Sequence, residues 1–199
     1  MAANGINIDE CVETLIQTLP VCQVRGVAYS TFSLIHVNNE GKGFLYEFDN
    51  PQAIYYHKGK CIDFEREKLE IYEKPVYKSE LNLEENDVIM VMSDGTIHAG
   101  IGQILNFGWE RRQIMDYLDR NIKSTMSARA VACILTSACN DLYLDKPGDD
   151  TTVAAVKIRP RLNVNIMVGP PVDKEKDNFY VEQFLDGADK TIVCGGTSS

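Results

Sequence analysis

The sequence predicts an α+β domain, and three observations carry that prediction. Residues 29–58 alternate apolar and polar side chains with a period of two. Two later segments, beginning near Trp109 and at Ser127, repeat their apolar residues at helical spacing. Two fully apolar runs, Val88–Met92 and Val153–Val156, are bounded by turn residues and read as core strands. Strands, then two helices, then a last strand imply helices covering one face of the sheet.

The elements follow in order. Ile8, Val12, Leu15, Ile16 and Leu19 share one helical face, with Asp9 near the start and Pro20 as the stop. Tyr29 to Val37 reads as a half-buried strand. Phe44, Tyr46 and Phe48 lie on one side of a second strand, and Asp49-Asn50-Pro51 turns the chain into a third through Ile54 and Tyr56. These three are expected to form an antiparallel meander. Cys61 to Leu83, with Lys74-Pro75-Val76-Tyr77, reads as edge strands or a covering loop.

Beyond Asp94, Ile114, Met115, Leu118 and Ile122 predict one helix. Ala128, Val131, Ala132, Leu135, Ala138, Cys139 and Leu142 predict a longer one capped by Ser127. Thr152 to Ile158 is the last strand of this part, and Arg159-Pro160-Arg161 marks a boundary. Residues 1–159 and 160–199 are accordingly read as two domains. The second is a small β-α-β appendage: a strand at Val164–Val168, a helix through Phe179, Val181, Phe184 and Leu185, and a strand at Thr191–Cys194. It is incomplete on this reading, stopping at Gly195-Gly196-Thr197-Ser198, where a helix should begin.

The 199 residues suffice for one full domain and a small addition, and 44% apolar content is ordinary for a globular core. A formal charge of −9 with scattered Lys and Arg argues against a nucleic-acid surface. No apolar run approaches the roughly 20 residues of a membrane span, and no signal-peptide pattern opens the chain, so a cytoplasmic location is expected. The six cysteines form no Cys-x-x-Cys pair and read as reduced, mostly buried thiols.

Function is written in two acidic turns. Ser93-Asp94-Gly95 ends one core strand, and Gly148-Asp149-Asp150-Thr151-Thr152 opens another. If those strands pair antiparallel, Asp94, Asp149 and Asp150 converge at one sheet edge. Clustered carboxylates repel unless a cation lies between them, and a hard divalent metal serves that role. Gly95 lets the backbone come close to a ligand, and Gly148 opens the second turn. His98, four residues after Asp94, is a candidate to hydrogen-bond a phosphate or protonate a leaving alkoxide. His36 and His57 lie on strand faces and read as structural. Gly100-Ile101-Gly102 lacks the following Lys-Ser/Thr of a phosphate-cradling loop.

Tyr29-Ser30-Thr31-Phe32-Ser33-Leu34, Glu47-Phe48-Asp49-Asn50-Pro51, Val91-Met92-Ser93-Asp94-Gly95 and Gly148-Asp149-Asp150-Thr151-Thr152-Val153 occur in an order and spacing that resembles the stage II sporulation protein E type phosphatases. These are the bacterial branch of the type 2C, metal-dependent Ser/Thr protein phosphatases. The resemblance covers roughly Ile8 to Arg159. It implies a phosphatase 2C-like antiparallel β-sandwich flanked by helices, with a two-metal Mn²⁺ or Mg²⁺ centre. In such a centre a metal-bridging water attacks a phosphoserine or phosphothreonine of a regulatory phosphoprotein in line. Carried over by motif, Asp94 and Asp149 are metal ligands, and Asp150 is an adjacent ligand or orienting acid. The family's further Asp-Gly motif lies upstream of these, and nothing before Ile8 matches it. The expectation is a metal-dependent Ser/Thr protein phosphatase domain, N-terminally truncated, acting on a regulatory phosphoprotein, or a catalytically deficient fragment of one. Its alternative is a non-catalytic protein-binding module of the same fold.

Overall fold

In the computed structural model, residues 7–19, 30–169 and 173–195 are described. The chain divides into two compact units, Met1–Ile158 and Arg159–Ser199.

The first unit contains helix α1 (Ile8–Thr18), strands β1 (Phe32–Val37), β2 (Lys42–Phe48), β3 (Ile54–His57), β4 (Lys60–Ile62), β5 (Glu67–Ile71), β6 (Lys74–Asn82) and β7 (Val88–Met92), helices α2 (Arg111–Asn121) and α3 (Ala128–Leu142), and strand β8 (Val153–Lys157). Two four-stranded sheets result, ordered β1-β2-β6-β5 and β4-β3-β7-β8, and every pairing in them is antiparallel.

Side-chain alternation along the strands builds a layered core. Tyr46 and Phe48 of β2 and Val76 of β6 face α1, where Val12 and Ile16 are buried against them. Leu45, Leu81 and Ile89 point the other way and fill the space between the sheets. Val88, Met90 and Met92 of β7 face α2 and α3, packing with Ile114, Leu118, Val131 and Leu135. Strand β7 is thus covered on both sides, as its unbroken apolar run requires.

Three expectations are corrected. Helices cover both outer faces, α1 on one sheet and α2 with α3 on the other, instead of one face. The meander stops after β2, because β3 pairs with β4 and β7 in the second sheet. The turn between β2 and β3 diverts the chain. Asp49 has φ +53°, and the Glu47 carboxylate accepts a hydrogen bond from the Ala53 amide at 2.6 Å. Strand β6 is interior, paired with β2 and β5, despite Pro75. It tolerates the proline because Pro75 lies beyond the β2 register, which begins at Tyr77, and is opposed only by Glu70 of β5.

Capping follows the sequence closely. Asn7 accepts from the Asp9 amide at the start of α1, and Ser127 accepts from the Ala130 amide at the start of α3. Helix α2 begins at Arg111, two residues after Trp109, where Glu110 and Gln113 form a reciprocal capping box.

The second unit holds β9 (Val164–Val168), α4 (Asp177–Leu185) and β10 (Lys190–Cys194), with the strands parallel. Pro20, Tyr29, Pro170-Pro171 and Gly196-Thr197-Ser198 lie outside the described residues.

Candidate functional site

Strands β7 and β8 pair from Val88↔Lys157 to Met92↔Val153, so the end of β7 and the start of β8 lie at the same sheet edge. Asp94 leaves β7 in a single 3₁₀ turn, Asp94–Thr96, and the backbone continues so that the His98 amide donates to the Asp94 carbonyl at 3.0 Å. His98 is thereby set over the same edge as Asp94. Asp149 arrives from the loop after α3. One ligand atom from each of Asp94, His98 and Asp149 lies within 4.8 Å of the others. His98 Nδ1 is 3.5 Å from Asp149 Oδ2, with about half of each side chain exposed to solvent (46% and 47%).

Two carboxylate oxygens and an imidazole nitrogen match the hard-to-borderline donors that divalent Mn²⁺ or Mg²⁺ accepts. The donor set fits one such ion. Among the described residues no further His, Cys, Asp or Glu joins these three.

The two acidic turns are fastened by Ser93, which the first motif contains, and by Tyr143, which neither contains. Ser93 Oγ donates to the Asp150 carbonyl at 3.0 Å and accepts from the Thr152 amide at 2.9 Å. The Ser93 amide donates to the Thr152 carbonyl at 3.0 Å. Tyr143 at the end of α3 donates its hydroxyl to the Gly95 carbonyl at 2.8 Å. Burial first, and the neighbouring Asp149 and Asp94 charges after it, push the Tyr143 phenol up, which keeps it a donor. A Ser directly before Asp-Gly at the end of a core strand was the available signal for the first of these. Tyr143 had none.

Asp150 is not one of the three converging side chains. Its amide donates to Asp149 Oδ1 at 2.8 Å, which orients the neighbouring carboxylate. Gly95 leaves room for a close approach by the second acidic loop. A Cβ there would lie 2.4 Å from the Asp150 carbonyl oxygen and 2.8 Å from Thr151 Oγ1, so it is the second acidic loop that needs the space. At Gly148 a Cβ would meet only Tyr143, at an ordinary 3.7 Å.

The other described histidine with an acid partner is elsewhere. His57 Nδ1 lies 2.9 Å from Asp87 Oδ1, and Tyr55 donates to Asp87 Oδ2 at 2.6 Å. Asp87 immediately precedes β7, so this cluster sits at the opposite end of that strand from Asp94.

The profile of the family described as stage II sporulation protein E (SpoIIE) matches residues 1–159. The chain belongs to the stage II sporulation protein E family. Solved structures agree on the fold. The phosphatase domain of the cell fate determinant SpoIIE from Bacillus subtilis, presoaked with Mn, is 16% identical, with TM-score 0.57 over 79% of this chain and 69% of that one. The PP2C phosphatase domain of the same protein with a fragment of its regulatory domain gives TM-score 0.63 and 18% identity over 78% of this chain and 46% of that one. The RsbU and RsbW domains of Rv1364c from Mycobacterium tuberculosis give TM-score 0.57 and 17% identity, covering 92% of this chain and 50% of that one. No curated protein matches in sequence. The SpoIIE-family chain thus has the fold of those phosphatase 2C-type domains.

Proposed function

We propose that this chain is a metal-dependent protein Ser/Thr phosphatase acting on a regulatory phosphoprotein. The convergence of Asp94, His98 and Asp149 at the β7/β8 edge is the observation that supports it. Asp94 and Asp149 would hold Mn²⁺ or Mg²⁺, with Asp150 beside them as an orienting acid. Such an ion supplies Lewis acidity toward phosphoryl oxygen and lowers the pKa of a water to near neutrality.

The chain's own groups do the positioning. Ser93 and Tyr143 hold the two loops so that both carboxylates keep their places without a large loss of conformational freedom on binding. His98 brings an imidazole to the rim of the cluster as a hydrogen-bond partner for a phosphate oxygen. The cytoplasm, where phosphoserine and phosphothreonine signalling proteins reside, is the compartment this reading implies. No helix of the described residues is long and apolar enough to cross a membrane.

A second reading has its own support. The three donors suit one cation, whereas the resemblance implies two, which favours a module that keeps the fold and acts by protein contact. Turnover and stoichiometry separate the readings. Mn²⁺-stimulated hydrolysis of an aryl phosphate is expected, with Asp94→Ala and Asp149→Ala each lowering the rate by about 100-fold or more. Variant rates within about threefold of the parent would overturn the assignment. Calorimetric titration with Mn²⁺ that shows no binding would favour the module.

A further inference from the structure

The candidate site opens into a groove of about 840 Å³ within the first unit, whose walls include Asp49, Asn50, Arg66, Tyr77, Asp94 and His98. Arg66 differs from the other charged groups there. Its guanidinium lies 4.1 Å from the centroid of the Tyr77 ring, a cation–π stack that restricts the side chain while leaving its edge donors free. It is exposed, and among the described residues it makes no ion-pair contact or hydrogen bond, its charge acting on the buried Glu47 carboxylate without touching it. The neighbouring cation, Lys74, is engaged: its ammonium donates to the Ile16 carbonyl at 3.0 Å and the Leu19 carbonyl at 3.2 Å, tying down the end of α1.

On a chain of net charge −9, a flat and unpartnered guanidinium in the groove that reaches Asp94 is a selective feature. Its five N–H donors match a carboxylate bidentately, which an ammonium cannot do. Asp49 and Glu73 on the same walls disfavour an anion placed beside them.

We propose that Arg66 is a specificity-determining residue that holds an acidic side chain of the phosphoprotein, close in sequence to the phosphorylated residue whose phosphate meets Asp94, His98 and Asp149. The inference rests on the phosphatase reading and adds to it the class of substrate: phosphoserine or phosphothreonine segments flanked by Asp or Glu.

The test uses the full chain and fluorescein-labelled peptides in which a non-hydrolysable phosphonate replaces phosphoserine, with acidic, neutral or basic flanks. Fluorescence anisotropy is expected to give about five- to tenfold tighter binding for the acidic peptide than the neutral one, the scale of a solvent-accessible bidentate pair. Arg66→Ala removes that preference, Arg66→Lys retains part of it, and Arg66→Glu transfers it to the basic peptide. With the corresponding phosphopeptides, Arg66→Ala raises KM for the acidic one and leaves its kcat nearly unchanged. A preference that survives Arg66→Ala, or equal affinities for all three peptides in the parent chain, overturns the proposal. So does an equal loss on aryl phosphate, because Arg66 would then hold the transferred phosphoryl group. If the parent chain hydrolyses no aryl phosphate but keeps the peptide preference, the phosphatase reading fails while anion recognition by Arg66 stands.

Discussion

At the scale of single residues, two positions near the site are held by contacts that leave little tolerance. Gly95 is packed so closely against the 149–151 loop that a methyl group must displace the Asp150 carbonyl, a rigid backbone atom. Gly95→Ala is therefore expected to separate the two acidic turns and weaken Mn²⁺ affinity by about 10-fold or more, while Gly148→Ala changes it little. Calorimetric titration compares the pair, and equal affinities would refute the packing argument. Glu47 is buried on the side of β2 that faces between the sheets, with Oε1 holding the Ala53 amide and Oε2 lacking a protein partner among the described residues. Burial pushes its carboxyl up, with the Ala53 amide and the Arg66 and Arg111 charges opposing. The folded state therefore binds the proton more tightly than the unfolded chain. This residue's contribution to stability consequently falls as pH rises from the ordinary glutamate range through the raised value. Glu47→Gln keeps an acceptor for Ala53 and removes the charge, so it is expected to flatten that slope. Glu47→Ala opens a cavity, leaves an amide unpaired and costs about 2–4 kcal/mol. Thermal melts of both variants from pH 4 to pH 8 check the order, and an alanine variant as stable as the glutamine one would contradict it.

At the scale of elements, what the sequence disclosed and what it hid divide along the range of the interactions. Periodicity and caps are local, so α1, α3 and β7 could be placed within a residue or two from the spacing of Ile8, Val12 and Ile16, from Ser127 and from the run Val88–Met92 alone. The pairing of β7 with β8, on which the convergence of Asp94 with Asp149 depends, was a conditional geometric argument and is observed. Partner choice for β3 and β6 was not legible. Nothing in Ile54–His57 distinguishes continuing a meander from crossing to a second sheet; the decision lies in the Glu47–Ala53 contact and the backbone at Asp49. Arg66 was silent for a similar reason, since its neighbour Tyr77 is brought to it by the β5–β6 pairing.

Helix α1 shows the energetic side of such long-range contacts. Asp9 accepts from the Tyr46 hydroxyl and from Lys78 Nζ, and these hydrogen bonds, Tyr46 first, hold its carboxyl below the usual range despite some burial. The bonus to docking is therefore present above the ordinary aspartate pKa and is lost as pH falls through the lowered value. Asp9 is half exposed, so solvent screening limits the effect to about 1 kcal/mol or less. Hydrogen-exchange protection factors in α1, taken relative to the intrinsic exchange rate at each pH, are expected to fall on acidification below about pH 4, and Asp9→Asn should remove that pH dependence. An unchanged profile in the variant would show that Val12 and Ile16 packing alone anchors the helix.

At the scale of the whole molecule, the two units differ in what they enclose. Among the described residues, the three clusters of buried apolar side chains belong to the first unit, and its last residue packs against one of them: Ile158 lies between the sheets while its amide donates to the Asp87 carbonyl at 3.0 Å. The described residues of the second unit form a two-stranded parallel sheet and one helix, with Ile166, Val168, Phe179 and Leu185 exposed. Two strands and a nine-residue helix bury too little apolar area to offset the entropy of ordering the chain. The domain division at Arg159 then carries a thermodynamic consequence. A chain ending at Arg159 is expected to unfold cooperatively with a midpoint within about 4 °C of the full-length chain, a difference of roughly 1 kcal/mol at this size, and to keep its Mn²⁺ affinity. Residues 160–199 alone should show no cooperative transition. A chain cut after Lys157 loses Ile158 from the inter-sheet core and its two hydrogen bonds to the 86–87 turn, and should melt several degrees lower than the chain cut after Arg159. If removing residues 160–199 abolished cooperative unfolding of the remainder, the second unit would be an integral part of the phosphatase-type fold, and the boundary would have to move.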